Sequence, residues 1–475
     1  MSKRFITEED GSGILEYVLL LSLVGVMAVT IFPKYKPFLI DTFNDMTKNV
    51  ETALNGKGDG GTSDGEWKNP NENKDNQVIE KQYEARLFGI GDAYVYRSSK
   101  GNVYSWGRDM YGELGNGVFS KNVPLSKIYV DMKVKDVQLG NGSNTFFLLE
   151  DGTLQGIGMN DRGQLGNGKE WERVSPIITP VIYKDGTPVK DVADISVGNV
   201  NTIALLKDGT ALSWGDNRTG SAGYTTREYP TDLMNIYSHN ANFISDITGA
   251  KKLTGVKKVF AGDLLSFAFL DNDTIVGWGT DRNYGLGLGT KSEYNDHPQL
   301  FPYLKPSQVL QFAPGYRSSF AVLKTNEVVE WGRIGGWGKV EFKTDLYAYD
   351  EEVLKPRTTK QLEGKKVKKV LPNNFHNLAL LEDGTVYAWG SNKNGQLGNN
   401  KIDAAASYSE GFVVGPDKKG KLTDITDIWT TTYGNFAVNK KGEFYAWGKN
   451  NFSVIMAQPS NEEVIPYPVL LKMPE

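Results

Sequence analysis

Nucleophilic and metal-binding side chains are scarce in this chain of 475 residues. It holds three histidines, His239, His297 and His376, and no cysteine. Disulfides, thiolate metal sites and a cysteine nucleophile are therefore excluded. The histidines fall at non-equivalent places, with no nucleophile–base set and no metal-ligand spacing around them. The aspartates mostly occupy turn positions, where turn geometry needs them. Glycine-rich runs such as RGQLGNG at 162–168 lack the Lys-Ser/Thr and the strand-to-helix switch of a phosphate loop. We expect no enzyme, cofactor or metal site. One ionisable residue stands in an unusual setting: Glu16, a carboxylate inside an apolar run.

The elements that would have to position these residues read in two parts. A net charge of −4 with no Lys/Arg stripe gives nucleic acid little to bind, because duplex binding needs concentrated positive charge. The composition is globular, and 53 Gly, 23 Tyr and 10 Trp favour many short strands and turns over long helices.

From Ile14 to Phe32 every residue is apolar or small except Glu16, with Tyr17, Ser22 and Thr30 as polar-tipped exceptions. At ~1.5 Å per helical residue this stretch nearly crosses a hydrocarbon core. An ordinary signal peptide fits poorly, since no A-x-A-like cleavage site follows and a carboxylate sits at its start. An ionisable group in an apolar helix is costly unless something pairs with it. Beyond Pro33 and Pro37, Phe38, Leu39, Phe43, Met46, Val50 and Leu54 recur at helical spacing and predict an amphipathic continuation. Residues 55–83 are polar and Gly/Asn-rich, a flexible linker.

Residues 11–17, GSGILEY, resemble the processing site of Flp/Tad-type (type IVb) prepilins. The resemblance implies a leader over residues 1–11, cut by a prepilin peptidase between Gly11 and Ser12, and a pilin helix over 12–54. Glu16 would pair with the Ser12 amine of a neighbouring subunit, and Tyr17 would share that assembly position. Two charges buried among apolar helices fix a register when they meet. The subunit would rest in the cytoplasmic membrane before assembly and reach the cell surface within the pilus.

The second part repeats. Leu378–Gly398 reads LALLEDGTVYAWGSNKNGQLG: strand, Asp-Gly turn, strand, Trp-Gly and a glycine-punctuated loop. Alignment on the Trp position gives Trp106, Ile157, Trp214, Trp278, Trp331, Trp389 and Trp447, spaced 51, 57, 64, 53, 58 and 58 apart. That is the period of a propeller blade. Ala204, Ala268, Ala321, Ala379 and Ala437, ten residues before the Trp position, suit a crowded strand. Asp151, Asp208 and Asp383 precede glycine in hairpin turns. A further strand opens each unit near Val134, Val192, Val256, Val309, Val367 and Ile425. Leu114, Leu165 and Leu397 read as buried pegs between blades.

The V-Y-A-W-G-x-N-x-x-G-Q-L-G wording resembles RCC1-type (regulator of chromosome condensation) repeats and implies a mainly β, seven-bladed propeller over residues 84–475. In that family the position of His376 carries a structural hydrogen bond. The tail Tyr467–Leu471 reads as a unit-opening strand, expected to pair with an incomplete first unit near Leu87–Trp106 and close the ring.

Function is expected on irregular insertions. The largest, 224–252, offers Tyr224, Tyr229, Tyr237 and Phe243; a second, 339–353, offers Phe342, Tyr347 and Tyr349. Tyrosines on exposed loops are good hot-spot material. The combined reading is a minor or tip subunit of a bacterial Tad/Flp pilus displaying a propeller for adhesion. Its partners would be other pilin subunits and a surface protein or glycan. A membrane-tethered protein inhibitor, a pseudopilin of a secretion system and a nucleotide-exchange factor stand as alternatives.

Overall fold

The computed structural model describes residues 83–474 apart from 225–236, 335–350, 404–407, 451–461 and scattered positions of one or two residues. Gly11, Ser12, Glu16, Tyr17, Tyr229, Phe342, Tyr347 and Tyr349, and the helix expected over 12–54, lie outside the described residues. Among the described residues no helix is long and apolar enough to cross a membrane.

Seven four-stranded antiparallel sheets follow one another in the chain. They open on β1 (Arg86–Ile90), β5 (Val134–Gly140), β9 (Val192–Val197), β13 (Val256–Ala261), β17 (Val309–Pro314), β21 (Val367–Leu371) and β25 (Ile425–Thr430). These opening strands touch one another in a closed ring, so each is the innermost strand of a blade and the molecule is a seven-bladed β-propeller. Glycine packs the axis. A Cβ on Gly198 would lie within 3.0 Å of the Gly262 carbonyl, and one on Gly140 within 3.0 Å of the Gly198 carbonyl.

The second strand of each blade is wedged between neighbours, and Ala204, Ala268, Ala321, Ala379 and Ala437 on those strands are all fully buried. Fourth strands form the outer edges, and Pro124, Pro176, Pro356 and Pro466 within them deny that edge a donor.

The glycine after each Trp position shapes the third strand. Gly107, Gly158, Gly215, Gly279, Gly332, Gly390 and Gly448 have φ between 99° and 117°. In six of them a Cβ would press within 3.0 Å of the carbonyl oxygen fifteen residues earlier, at Asp92, Ser143, Val200, Leu264, Phe375 and Tyr433. The next residue's N–H donates to that same oxygen at 2.8–3.0 Å. Each such bond ties the third strand to the turn between the first and second strands, and strand register shifts at most of these glycines.

Ring closure differs from the expectation. β28 (Val464–Leu471) pairs with β27 (Phe444–Lys449) and completes the seventh blade rather than the first. The first unit is itself complete, from β1 through β2 (Ala93–Arg97) and β3 (Val103–Asp109) to β4 (Ser120–Ile128). Side-chain packing therefore closes the ring in place of strand exchange: Leu87, Tyr94 and Trp106 share one core with Phe436, Phe444 and Leu471. Tyr94 meets Phe436 edge-on at 5.1 Å, and Tyr96 meets Phe444 at 5.5 Å.

Gly215→Ala should cost about 3 kcal/mol, from left-handed strain plus collision with the Val200 carbonyl. Gly186→Ala, at a turn with open space around it, should cost about 1 kcal/mol. Chemical denaturation of the two variants checks the contrast.

Candidate recognition face

In an up-and-down four-stranded blade, the first-to-second and third-to-fourth connections leave from one end and the second-to-third turns from the other. The second-to-third end is held by its own side chains. Asp151, Asp208 and Asp383 each accept from the N–H and hydroxyl of the threonine two residues on, at 2.6–2.9 Å. Those threonine hydroxyls hold the carboxyls below their usual pKa. These aspartates build turns.

The other end carries the variable parts. Segment 225–236 joins β11 (Ala211–Asp216) to β12 (Tyr237–Phe243), and segment 335–350 joins β19 (Val328–Ile334) to β20 (Glu351–Thr358), both from this end. Here too lies the loop closing on each leucine peg. The residue three after the Trp position organises it. Asn160, Asn217 and Asn392 are buried, and their Oδ1 accepts the peg N–H of Leu165, Ala222 and Leu397 at 3.0 Å. The loop in turn receives the next blade: the indole N–H groups of Trp214, Trp278, Trp331 and Trp447 donate to the carbonyls of Gln164, Ser221, Gly285 and Gln396 at 2.8–3.0 Å. Where Ile157 replaces Trp, Thr145 Oγ1 donates to the Glu113 carbonyl instead.

This frame relocates the residues predicted for contact. Tyr224 occupies the slot that Asn167 fills in the preceding blade, just after the peg and glycine. It is buried, and its hydroxyl pairs with Ser238 Oγ at 2.6 Å. Tyr224 therefore builds the blade, and its assignment to a contact loop is corrected. Tyr237 and Phe243 sit at opposite ends of β12, so they form no common site. Tyr237 belongs to the variable face, half-buried, with the Arg218 guanidinium 5.9 Å from its ring centre. Phe243 lies toward the other end, stacked on Tyr183 at 6.3 Å with the Lys252 ammonium over its ring.

Sequence reading missed the residue two after the Trp position. In six of the seven blades its N–H is the donor clamped to the first-to-second turn, which fixes its place at the variable end of the blade. Around the ring it is Arg108, Met159, Asp216, Thr280, Arg333, Ser391 and Lys449. The signal was available as a column of varied charge directly after the constant glycine. In the third blade this residue anchors an ionic cluster. Asp216 is buried and accepts from Arg162 at 2.9 Å and from both Nε and a terminal nitrogen of Arg218. Nearby, burial raises the Asp263 carboxyl to about 6, while a hydrogen bond from Asn199 and the charge of Arg162 act against that rise. Asp92 is raised by burial against the charges of Lys449 and Arg108.

At the axis this face opens on a cavity of about 160 Å³ lined by Gly89, Gly198, Gly262, Gly315, Asn373 and Thr431. Phe375 and Tyr433 stack beside each other at 5.3 Å in the adjoining first-to-second turns. His376 is buried, with Nε2 2.7 Å from Asn435 Oδ1 and 3.2 Å from Thr430 Oγ1. It serves structure. His297 pairs with Asp296, and His239 is half-buried on β12. Among the described residues no group of three His, Cys, Asp or Glu is placed to hold a metal ion.

Two models of the Regulator of chromosome condensation (RCC1) repeat match the chain, one over residues 100–146 and one over 192–221 and 373–396. These stretches are similar to RCC1 repeats. Among curated proteins, the protein pim1 of Schizosaccharomyces pombe is 25% identical over 381 residues, covering 66% of this chain and 69% of its own length. The ultraviolet-B receptor UVR8 of Arabidopsis thaliana is 25% identical over 352 residues, covering 73% and 72%. The E3 ubiquitin-protein ligase HERC2 of Mus musculus is 29% identical over 308 residues, covering 63% of this chain and 6% of its own length. The propeller of human WBSCR16 superposes with a TM-score of 0.62 at 20% identity, over 78% of this chain and 95% of its own. Prp20p of Saccharomyces cerevisiae gives 0.61 at 18% identity, over 78% and 86%. These similarities agree on the RCC1-like propeller fold.

Burial lowers the His376 pKa to about 4. The native ring therefore resists protonation, so its contribution is complete above the unfolded value near 6.5 and is lost as pH falls. Stability should drop by about 2 kcal/mol between pH 7 and pH 5 from this group alone. In His376→Gln, whose amide still reaches Asn435, urea denaturation at the two pH values should show that drop removed.

Proposed function

We propose that the propeller is a protein-recognition head, and that the chain is a minor or tip subunit of a Tad/Flp-type pilus that displays it. The observation that carries recognition is the one-sided display on the variable face. A recurring hydrogen-bonded frame places side chains of varied charge and size there, around an axial cavity, at the end where the long insertions leave. Arg108, Arg218, Tyr237 and the Phe375–Tyr433 pair are the residue types that dominate protein interfaces. Prp20p, a structure of the same fold, is described with binding to Gsp1p and histones, which supports protein binding as a use of this scaffold.

Placement on a pilus rests on residues 11–17 and the apolar run after them. A helical filament repeats one contact indefinitely. A head of nearly 400 residues on every subunit would crowd that lattice, so the subunit is expected sparsely or at the tip. Several copies on a fibre would add avidity.

Sheared surface filaments should contain this protein with Ser12 as its N-terminal residue by Edman sequencing. An intact Met1, or absence from the filaments, rejects the pilin reading. Glu16→Ala should abolish incorporation and leave the head folded. The double variant Arg218→Ala, Tyr237→Ala should enter filaments normally yet reduce adhesion of piliated cells about tenfold, as expected of a hot spot. Unchanged adhesion would reject this face.

A further inference from the structure

Blade 1 departs from the repeat at two coupled positions. The buried amide pairs Asn160 with Gln164 and Asn392 with Gln396 organise the loops of blades 2 and 6. In blade 1 the same two positions hold Asp109 and Glu113, both buried. One backbone contact is kept: Tyr111 N–H donates to Glu113 Oε2 at 2.8 Å, as Arg162 N–H does to Gln164 and Asn394 N–H to Gln396 at 2.7 Å. What changes is the second atom, an oxygen in place of an NH₂ donor. Amides of residues 112–114 face Asp109, yet neither of its carboxyl oxygens finds a donor at ordinary hydrogen-bond geometry. The Glu113 carboxyl stands within bonding reach of it once one of the two carries a proton.

We propose that Asp109 and Glu113 share a proton, which satisfies carboxyl oxygens otherwise left without a donor and makes the seam between blades 1 and 2 a latch that alkaline pH releases. Glu113 is placed to transmit the change. Its carbonyl accepts from Thr145 Oγ1 of the second blade, and its neighbour Leu114 packs in one core with Ile157. Ser105 Oγ holds the Leu114 carbonyl from the blade 1 side at 2.8 Å.

Among the described residues, no cation figures among the groups that act on the pair. Blade 2 presents Asn144, Thr145, Ile157 and Ser175 near this seam, and the adjacent Arg108 acts on Asp92. The charged group that acts on each carboxyl is the other one. Burial, then the neighbouring Asp109, raises Glu113 to about 8, and burial raises Asp109. The sign follows. A carboxyl with a raised native pKa stabilises the fold most while protonated, and that contribution is lost as pH rises from the unfolded value toward and through the native one.

The test uses the full-length chain. Melting temperatures of the wild type, Glu113→Gln and the double variant Asp109→Asn, Glu113→Gln are compared from pH 5 to pH 9. The double variant copies the Asn/Gln pair of blades 2 and 6 and so guards against a single variant that folds badly. The wild type should fall behind both as pH rises, the gap opening from near zero to about 3 °C or more. Hydrogen exchange over residues 108–117, corrected for intrinsic rate, should quicken in the wild type between pH 7 and pH 9 and stay level in the double variant. The infrared band of a protonated carboxyl should be present in the wild type at pH 7 and lost by pH 9.5. Parallel melting profiles across this range, or no protonated-carboxyl band at pH 7, would overturn the latch.

Discussion

The third, fourth, fifth and seventh blades of this propeller are each stitched to the preceding blade by a buried hydrogen bond from the Trp position. An indole N–H enters the loop of the preceding blade and donates to its backbone carbonyl, with the peg side chain packed against the ring. The loop's second glycine lets the indole approach: a Cβ on Gly166, Gly223, Gly287 or Gly398 would stand within 3.0 Å of the incoming Trp. A buried carbonyl left unpaired costs about 1–3 kcal/mol, so the seam needs a donor even where the Trp is gone. Thr145 fills that need beside Ile157. At the one junction where chain ends meet, between blades 7 and 1, an aromatic cluster joins the two blades.

That seam explains why display is one-sided. Loop, peg and Trp-Gly all lie at the end where third strands leave for fourth strands. The glycine after the Trp position commits the next N–H to the inner turn, so the side chain at that place is free to vary without loosening the blade. At the opposite end the aspartates are spent on their own turns. Exposed or half-exposed charge, at Arg108, Arg218 and Lys449, therefore falls where a partner protein could read it.

Blade 1 shows how the frame tolerates chemistry at its inner positions. Replacing two amides by two carboxyls keeps the Tyr111 contact but removes the side-chain donors, and burial then favours keeping a proton. Asp281 in blade 4 repeats the exchange on its own. It is fully buried, accepts the Leu286 N–H at 2.8 Å, and is raised by burial to about 7.

Seven blades, six of their opening strands, the buried alanines and the leucine pegs were legible in the sequence, because each depends on a local pattern repeated at a fixed period. The role of the tail was not. An apolar strand of that kind fits the first blade or the seventh equally well by pattern, and the pairing of β28 with β27 was decided by which edge lay within reach. Tyr224 was misplaced for a related reason. Its loop reads TGSAGY, where Ala222 stands for the leucine peg and the aromatic for an asparagine, so the repeat passed for an insertion. The Arg162–Asp216–Arg218 cluster and the separation of Tyr237 from Phe243 likewise join or part residues from different loops or opposite ends of a strand. Local pattern determines which residues build a blade. Only the closed ring decides which loops become neighbours, because that proximity arises when blades pack against one another.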